Sequence, residues 1–188
     1  AASDVYKRQV LVTDAIKEGN LTLLQTLYKT GSYPLSVNHI NLAAGCGHLN
    51  IISWLRENGC PWNEWASVYA AENGHIEVIK WLRKEGCSWS GLTFAYAASK
   101  GRLDVVKWLR KEGCPWDKQT CAYAASEGHL DIIKWLKIEG CPWDKWTCAY
   151  AARNGHLHVL VWLIKNGCPC EETDGIDILS TRLKYYNS

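Results

Sequence analysis

Cysteine and histidine are the residue types in this sequence that could do chemistry, because thiolates and imidazoles bind zinc and serve as nucleophile and base. The 188 residues include nine cysteines and six histidines. Cys168 and Cys170 form a Cys-Pro-Cys pair, which suggests a metal or redox site. Four histidines each follow a glycine, and they are His48, His75, His129 and His156.

None of these residues meets the requirements of a catalytic or metal site. A tetrahedral zinc site needs four ligands that converge on one point, whereas these histidines are spread along the chain from His48 to His156. The pair Cys168 and Cys170 lacks a two-residue spacer and a second pair, and no base accompanies Cys121 or Cys148. We find no glycine-rich phosphate loop and no nucleophile elbow. The sequence therefore predicts no catalytic residue, no metal ligand and no cofactor, and a protein that is not an enzyme.

The elements that position these residues recur along the chain at a constant step, which we call the repeat period. One ladder with this period consists of the cysteines Cys60, Cys87, Cys114, Cys141 and Cys168. Two ladders consist of tryptophans, at Trp62, Trp89, Trp116 and Trp143 and at Trp54, Trp81, Trp108, Trp135 and Trp162. Self-similarity at a fixed period of roughly 20 to 50 residues indicates stacked repeats that share one core. We therefore interpret the tryptophans as core residues rather than as a ligand cage.

A single repeat domain is predicted over residues 10–188. Its repeats span about residues 10–32, 33–59, 60–86, 87–113, 114–140 and 141–167, followed by a C-terminal cap over residues 168–188. The cap is predicted to contain a helix over residues 173–186, because terminal repeats need a more polar outer face. Residues 1–9 fit no repeat, and residues 4–9 resemble a translated sequencing adapter. We interpret residues 1–9 as a sequencing or cloning scar or as a disordered segment, so the native chain could begin further upstream with another domain.

Each repeat is predicted to form two short helices, as in residues 114–140. Thr120 is expected to cap the first helix, whose small residues allow neighbouring helices to approach closely. Gly128 supplies the left-handed conformation that ends it, and the histidine after this glycine lies in the tight turn. The second helix is predicted over residues 130–138 and ends before Gly140. Its exposed side carries a row of basic residues that we expect to be solvated, among them Arg83, Lys84, Arg110, Lys111 and Lys137.

Composition and charge limit the partners and the compartment. The net charge of +2 and the pI of about 8.1 are too mild to predict nucleic acid or membrane as the main partner. No apolar run approaches the roughly 18 residues of a membrane span, and no signal-peptide pattern opens the chain. Because the cysteine ladder is too widely spaced to cross-link to itself, reduced thiols are expected. We predict a monomer without a small-molecule ligand in the cytoplasm, or in the host cytoplasm if the protein is viral.

The motif Ala-Ala-x-x-Gly-His-Leu-x-x-Ile-x-Trp-Leu, at residues 124–136, resembles the two-helix part of an ankyrin repeat. The resemblance covers residues 10–167 and implies an all-α fold, a right-handed α-solenoid of stacked helix–turn–helix repeats. The repeats are six residues shorter than the usual 33 of that family, and the Thr-Pro-Leu-His element is absent. The β-hairpin loops should therefore be shortened or absent. Short repeats rich in Cys-Pro-Trp resemble those of amoebal giant viruses and some protists.

The resemblance implies a non-catalytic protein–protein interaction module that binds a protein partner through its concave face. Candidate partner-binding residues are the positions at which the repeats differ: Trp65, Leu92, Gln119, Trp146, Glu72, Ser99, Ser126, Arg153, Lys100, Glu127, Lys118 and Lys145. Trp65 and Trp146 are favoured among them, since aromatic residues are common interface anchors. Sequence drift without function explains the variation about as well. The alternative function is a substrate-recruiting adaptor arm of a larger assembly, such as a ubiquitin ligase, whose effector domain lies upstream.

Overall fold

The computed structural model of the chain describes residues 2–30 and 34–171, which form twelve helices and contain no strand. The chain divides into an N-terminal unit, residues 1–89, and a C-terminal unit, residues 90–188. Helices of the N-terminal unit are α1 (Ala2–Lys17), α2 (Leu21–Lys29), α3 (Val37–Cys46), α4 (Leu49–Glu57), α5 (Trp65–Asn73) and α6 (Ile76–Lys84). Helices of the C-terminal unit are α7 (Gly91–Ser99), α8 (Leu103–Lys111), α9 (Lys118–Ser126), α10 (Leu130–Ile138), α11 (Lys145–Arg153) and α12 (Leu157–Lys165). The predicted all-α class of paired helices is confirmed.

The odd-numbered helices are the first helices of the repeats, and they pack against one another within each unit. In the N-terminal unit α3 lies against α1 and α5, and in the C-terminal unit α9 lies against α7 and α11. Close approach is possible because the contact positions are fully buried alanines, including Ala70, Ala71, Ala97, Ala98, Ala124 and Ala125. Branched side chains of the second helices, such as Ile79, Leu82, Ile132 and Ile133, complete the core. Removing such a side chain costs about 2–5 kcal/mol.

The ends of the helices agree with the sequence prediction except at the first cap. Gly128 and Gly140 have φ values of +80° and +79°, the left-handed conformation expected of them, and α10 spans Leu130–Ile138 as predicted. The cap of α9 is Asp117 rather than Thr120. The Asp117 carboxylate accepts the Gln119 N–H at 2.9 Å, and the buried Thr120 hydroxyl accepts the Asp117 N–H at 3.4 Å. The prediction for Thr120 was wrong because a carboxylate three residues earlier begins the helix.

The cysteine ladder lies in the core and joins each loop to the loop before it. All five ladder cysteines are buried, as predicted for small apolar residues. Each thiol donates a hydrogen bond to the carbonyl oxygen 24 residues earlier, for example Cys60 to Ser36 at 3.2 Å and Cys141 to Asp117 at 3.5 Å. The thiol therefore contributes both volume and a weak polar contact between neighbouring repeats.

The tryptophan ladders are half-buried rather than fully buried, which corrects the core interpretation. Trp62 meets Trp81 edge to face with ring centroids 6.2 Å apart, and Trp143 meets Trp162 in the same way at 6.2 Å. A cation from the preceding second helix covers the loop tryptophan, as Arg56 covers Trp62 at 3.9 Å. In the same way, Arg83, Arg110 and Lys137 lie over Trp89, Trp116 and Trp143. Part of the basic row therefore packs on aromatic rings instead of being only solvated.

The histidines after the glycines bind the preceding repeat, which supports the structural interpretation of these residues. His48 Nε2 lies 2.9 Å from the Lys17 carbonyl oxygen, and His75 Nε2 lies 3.1 Å from that of Gly45. The imidazole must carry its proton on Nε2 to donate to a carbonyl. These side chains tie each turn to the first helix of the repeat before it.

The N-terminal end of the chain is described by the structure, whereas most of the predicted C-terminal cap is not. α1 begins at Ala2, so residues 2–9 are helical in the structure, while their interpretation as a scar stays a prediction. The predicted helix over residues 173–186 lies outside the described residues. Among the described helices, none has the length and apolar character that crossing a membrane requires.

Candidate functional site

A row of partly exposed tyrosines follows the first helices with the same repeat period as the cysteine ladder. Its members are Tyr69, Tyr96, Tyr123 and Tyr150. Tyr69, Tyr123 and Tyr150 are 37–38% exposed, although the alanines directly beside them in the same helices are buried. This row is not among the predicted partner-binding residues, because those residues are positions at which the repeats differ. The available signal was an aromatic side chain on each alanine-rich helix.

In the C-terminal unit two of these tyrosines line a cavity together with an exposed tryptophan. The cavity has a volume of about 290 Å³, and we call it the Trp146 cavity; it is lined by Lys118, Gln119, Ala122, Tyr123, Asp144, Trp146 and Tyr150. Trp146 is 48% exposed. Its ring lies 6.2 Å from that of Tyr150, one helical turn away in α11. The result is an aromatic surface that water covers only at a cost in free energy.

Local sequence fixes the position of Trp146. The Asp144 carboxylate accepts the Trp146 N–H at 3.0 Å and thereby begins α11 one residue before the tryptophan. The same carboxylate pairs with the Lys118 ammonium at 3.1 Å, across the cavity from its own helix. Because both side chains are partly solvated, this ion pair adds at most about 1 kcal/mol to stability. It adds a charged pair to a lining that also contains the aromatic rings.

A second cavity lies in the N-terminal unit and has a different lining. Its volume is about 450 Å³, and we call it the Asn41 cavity; it is lined by Asn38, Asn41, Leu42, Gly45, Cys46, Tyr69 and Asn73. Gly45 stands where later repeats carry Glu72 or Ser99, so the missing side chain leaves room. The Asn41 Oδ1 atom is buried and has no hydrogen-bond partner among the described residues. None of its lining residues was predicted, because all predicted partner-binding residues belong to later repeats.

The predicted partner-binding residues fall into separate groups. Lys118, Gln119 and Trp146 come together at the Trp146 cavity, and Lys145 beside it pairs with Glu171 at 2.7 Å. Trp65 is the first residue of α5 and stacks on Tyr69 at 5.8 Å.

Other predicted residues lie at the ends of the helices or face inward. Ser99 is only 7% exposed and donates its hydroxyl to the Tyr96 carbonyl oxygen, so it is not presented to a partner. Ser126 donates in the same way to Tyr123. The remaining members are the exposed Lys100, Glu127 and Arg153 and the half-buried Glu72 and Leu92.

Several buried cysteine thiols are poor nucleophiles. Burial raises the pKa of Cys60 to about 11 and that of Cys168 to about 12. The pKa of Cys121 is raised by its hydrogen bond with Cys141 and then by burial. A neutral thiol attacks carbon or sulfur slowly, so these side chains are not arranged for covalent catalysis.

One pair of cysteines corrects the prediction that all thiols are reduced. Cys148 and Cys170 form a disulfide, whereas the five ladder cysteines are free. The ladder argument did not apply to them, because neither belongs to the ladder. The sulfurs of Cys148, Cys168 and Cys170 lie within 4.8 Å of one another, and these are the residues of the described chain that could hold a metal ion.

Comparisons with known proteins agree with the helical repeats described above. A family model described as ankyrin repeats (3 copies) matches residues 40–120, and one described as ankyrin repeats (many copies) matches residues 121–164. The structure is similar to the crystal structure of the human ASB11 ankyrin repeat domain, with a TM-score of 0.63 and 18% sequence identity over 84% of this chain and 83% of that chain. No curated protein sequence matches this chain. The two family models together span about two thirds of the sequence, and the chain belongs to the ankyrin repeat family.

Proposed function

We propose that this protein is a non-catalytic interaction module that binds a protein partner through the exposed surface of its first helices. Ankyrin repeats are generally protein–protein interaction modules, and their fold is typically a binding scaffold without catalysis. The observation that carries the proposal is Trp146, which is 48% exposed at the edge of a cavity that it lines with Tyr123 and Tyr150. Aromatic side chains of this kind dominate the binding free energy of many interfaces.

The Trp146 cavity is suited to a partner segment with one apolar side chain between polar neighbours. Tyr123, Trp146 and Tyr150 offer ring surface to the apolar group. Lys118 and Asp144 also line the cavity, and their ion pair is exposed enough for either group to exchange its partner. Burying an aromatic anchor here would contribute about 1.5–3 kcal/mol through apolar area alone.

The Asn41 cavity supports the same function by a different chemistry. Asn38, Asn41 and Asn73 carry amides, which both donate and accept hydrogen bonds as the peptide backbone does. The Asn41 Oδ1 atom has no partner among the described residues, and such a buried acceptor costs about 1–3 kcal/mol. An N–H group that enters the cavity would recover part of this free energy. The adaptor hypothesis stays a prediction that none of these contacts addresses.

Affinity capture with matched variants tests the proposal. The wild-type protein, the double variant Trp146→Ala with Tyr150→Ala, and the control Ile138→Ala are immobilised in equal amounts and exposed to one extract. Ile138 is 82% exposed but lies on the second helix α10, so it removes an exposed apolar side chain elsewhere in the same unit. We expect a protein that wild type and control enrich and that the double variant enriches at least about tenfold less. Equal enrichment by all three folded proteins would contradict the placement at Trp146.

A further inference from the structure

Three cysteines of the C-terminal unit come together, although their spacing in the sequence does not match a conventional metal-binding motif. Cys148 lies in α11, and Cys168 and Cys170 lie in the loop after α12. Their sulfurs are all within 4.8 Å of one another, with Cys148 and Cys168 buried and Cys170 half-buried. We call these residues the thiol triad.

The repeat geometry brings these residues together independently of the disulfide. The position of Cys148 is occupied by Ser67, Phe94 and Cys121 in earlier repeats. The Ser67 hydroxyl lies 3.9 Å from the sulfur of Cys87, 20 residues later, and the Cys121 thiol is hydrogen-bonded to Cys141 at the same offset.

The third member of the triad, Cys170, lies two positions beyond the ladder cysteine of its repeat. The equivalent pair in an earlier repeat is Phe94 and Trp116, whose rings lie 5.3 Å apart, so this offset also brings residues into contact. Residue 170 occupies the position that Trp62, Trp89, Trp116 and Trp143 hold in earlier repeats. The replacement of that tryptophan by Cys170 therefore adds a third sulfur to a contact that the fold already makes.

The spacing of the sulfurs suits a single metal ion. Sulfurs that bind tetrahedral zinc at about 2.3 Å lie about 3.8 Å from one another. The sulfurs of Cys148 and Cys170 are bonded in the disulfide and must move apart after reduction, while Cys168 already lies within 4.8 Å of both. Rotation of the reduced side chains about their Cα–Cβ bonds allows these adjustments. Thiolate ligands favour zinc and other soft ions over magnesium or calcium.

We propose that the reduced thiol triad binds one zinc ion through the three sulfurs of Cys148, Cys168 and Cys170, with the fourth position open to water. Binding converts three thiols and Zn²⁺ into a tris-thiolate complex and releases three protons. The disulfide between Cys148 and Cys170 is the alternative state, in which one thiol of the triad remains. A dithiol reductant supplies the two electrons and two protons that convert the disulfide into two thiols, and is itself oxidised to a disulfide. Zinc binding and this disulfide are therefore mutually exclusive.

Two variants remove the site by restoring residues that the fold accepts elsewhere. Cys170→Trp restores the tryptophan of four earlier repeats, and Cys148→Ser restores the residue found at Ser67. Both leave the other free cysteines unchanged, so they control for metal bound at scattered thiols. Circular dichroism and thermal unfolding of each variant establish that it is folded.

Titration with Co²⁺ as a spectroscopic substitute for zinc tests the proposal. The full chain is reduced with a dithiol, freed of reductant under nitrogen and titrated while thiolate-to-cobalt charge-transfer absorption is recorded. We expect one Co²⁺ per wild-type chain, displacement by Zn²⁺, and affinity more than about 100-fold weaker in both variants, since even outer-shell losses cost 10–100-fold. The oxidised chain, prepared with a thiol oxidant, should not bind. Absence of the absorption from the reduced wild type, or equal binding by the variants, would overturn the proposal.

Discussion

The imidazole Nε2 of His156 lies 3.0 Å from the carbonyl oxygen of Ser126, 30 residues earlier in the chain. The same ring fills the space beside Gly128, where an added Cβ would lie 2.6 Å from Nδ1. One side chain thus joins two repeats both by a hydrogen bond and by close packing against a turn. His48 and His75 make equivalent contacts with Gly19 and Gly47 in the N-terminal unit.

The contact between Gly128 and His156 leads to a prediction about glycine replacement. Gly128→Ala should destabilise the protein more than Gly140→Ala, although the two glycines have nearly equal φ values of +80° and +79°. Both changes incur the left-handed strain of about 1–2 kcal/mol, but only the Cβ at residue 128 meets a ring, and nothing lies within 4 Å at residue 140. Urea unfolding of the two variants measures the difference. Equal losses of unfolding free energy would show that the ring moves aside without cost.

Removal of the positive charge over Trp143 should lower the stability of the protein slightly. The Lys137 ammonium lies 3.7 Å from the ring centroid. Lys137→Met keeps most of the aliphatic stem and removes the charge, so it should lower the free energy of unfolding by about 0.5–1 kcal/mol. Lys134→Met, at an exposed position of the same helix, is the control and should change it less. Denaturant titrations of both variants in parallel give the comparison, and a loss no larger at residue 137 would refute it.

His39 predicts a pH dependence of stability in the N-terminal unit. Its ring is buried, and Nδ1 accepts the Ser36 N–H at 3.0 Å at the start of α3. Burial lowers the pKa of His39 below its ordinary value of 6.5. Since the unfolded chain then binds the proton more readily, the stability that neutral His39 contributes is present above about pH 6.5 and is lost as the pH falls through and below that value.

The measurement for His39 is a difference between two proteins. Thermal unfolding of the wild type and of His39→Gln is followed between pH 7.5 and 5.5, and the other histidines are common to both proteins. The melting temperature of the wild type should fall further with decreasing pH than that of the variant. A gap between the two that does not change with pH would contradict the assignment.

The sequence separations that bring the thiol triad together predict that Trp143→Cys creates a second metal site. This change places a third thiol beside the hydrogen-bonded pair Cys121 and Cys141. The reduced variant should bind two Co²⁺ ions where the wild type binds one, with some loss of stability because the ring contact with Trp162 is removed. Stoichiometry from the charge-transfer titration decides the matter. A variant that is folded and still binds a single ion would contradict the geometric argument.

Local features of the fold were predictable from the sequence, whereas contacts between repeats were less so. Gly128, Gly140 and the bounds of α10 depend on a few neighbouring residues, and the structure agrees with all three. The cap at Thr120 was misplaced, because the competing Asp117 carboxylate could be ranked only from its geometry. The burial of the tryptophans was overestimated, because each ring stays half-exposed even where another ring or a cation packs on it.

The candidate site depends on packing offsets that no short motif displays. The thiol triad joins Cys148 to two residues of the following repeat. These residues are far apart in the sequence, and only the stacked repeats show that they meet. The Asn41 cavity arises from the missing side chain at Gly45, which a search for conspicuous residues does not find. The row containing Tyr123 was equally hidden, since the candidates were chosen among positions that differ between repeats and this tyrosine recurs in four consecutive repeats.

The cysteine and histidine contacts within each unit have a consequence for how such a chain can change. Each contact joins a side chain to a main-chain carbonyl of the preceding repeat, as Cys141 joins Asp117 and His156 joins Ser126. Because a main-chain carbonyl is present whatever the side chain, loss or duplication of one whole internal repeat by unequal recombination would leave an acceptor at the same offset for the next ladder cysteine. Such a change would alter the number of exposed first helices and leave these interior contacts in place.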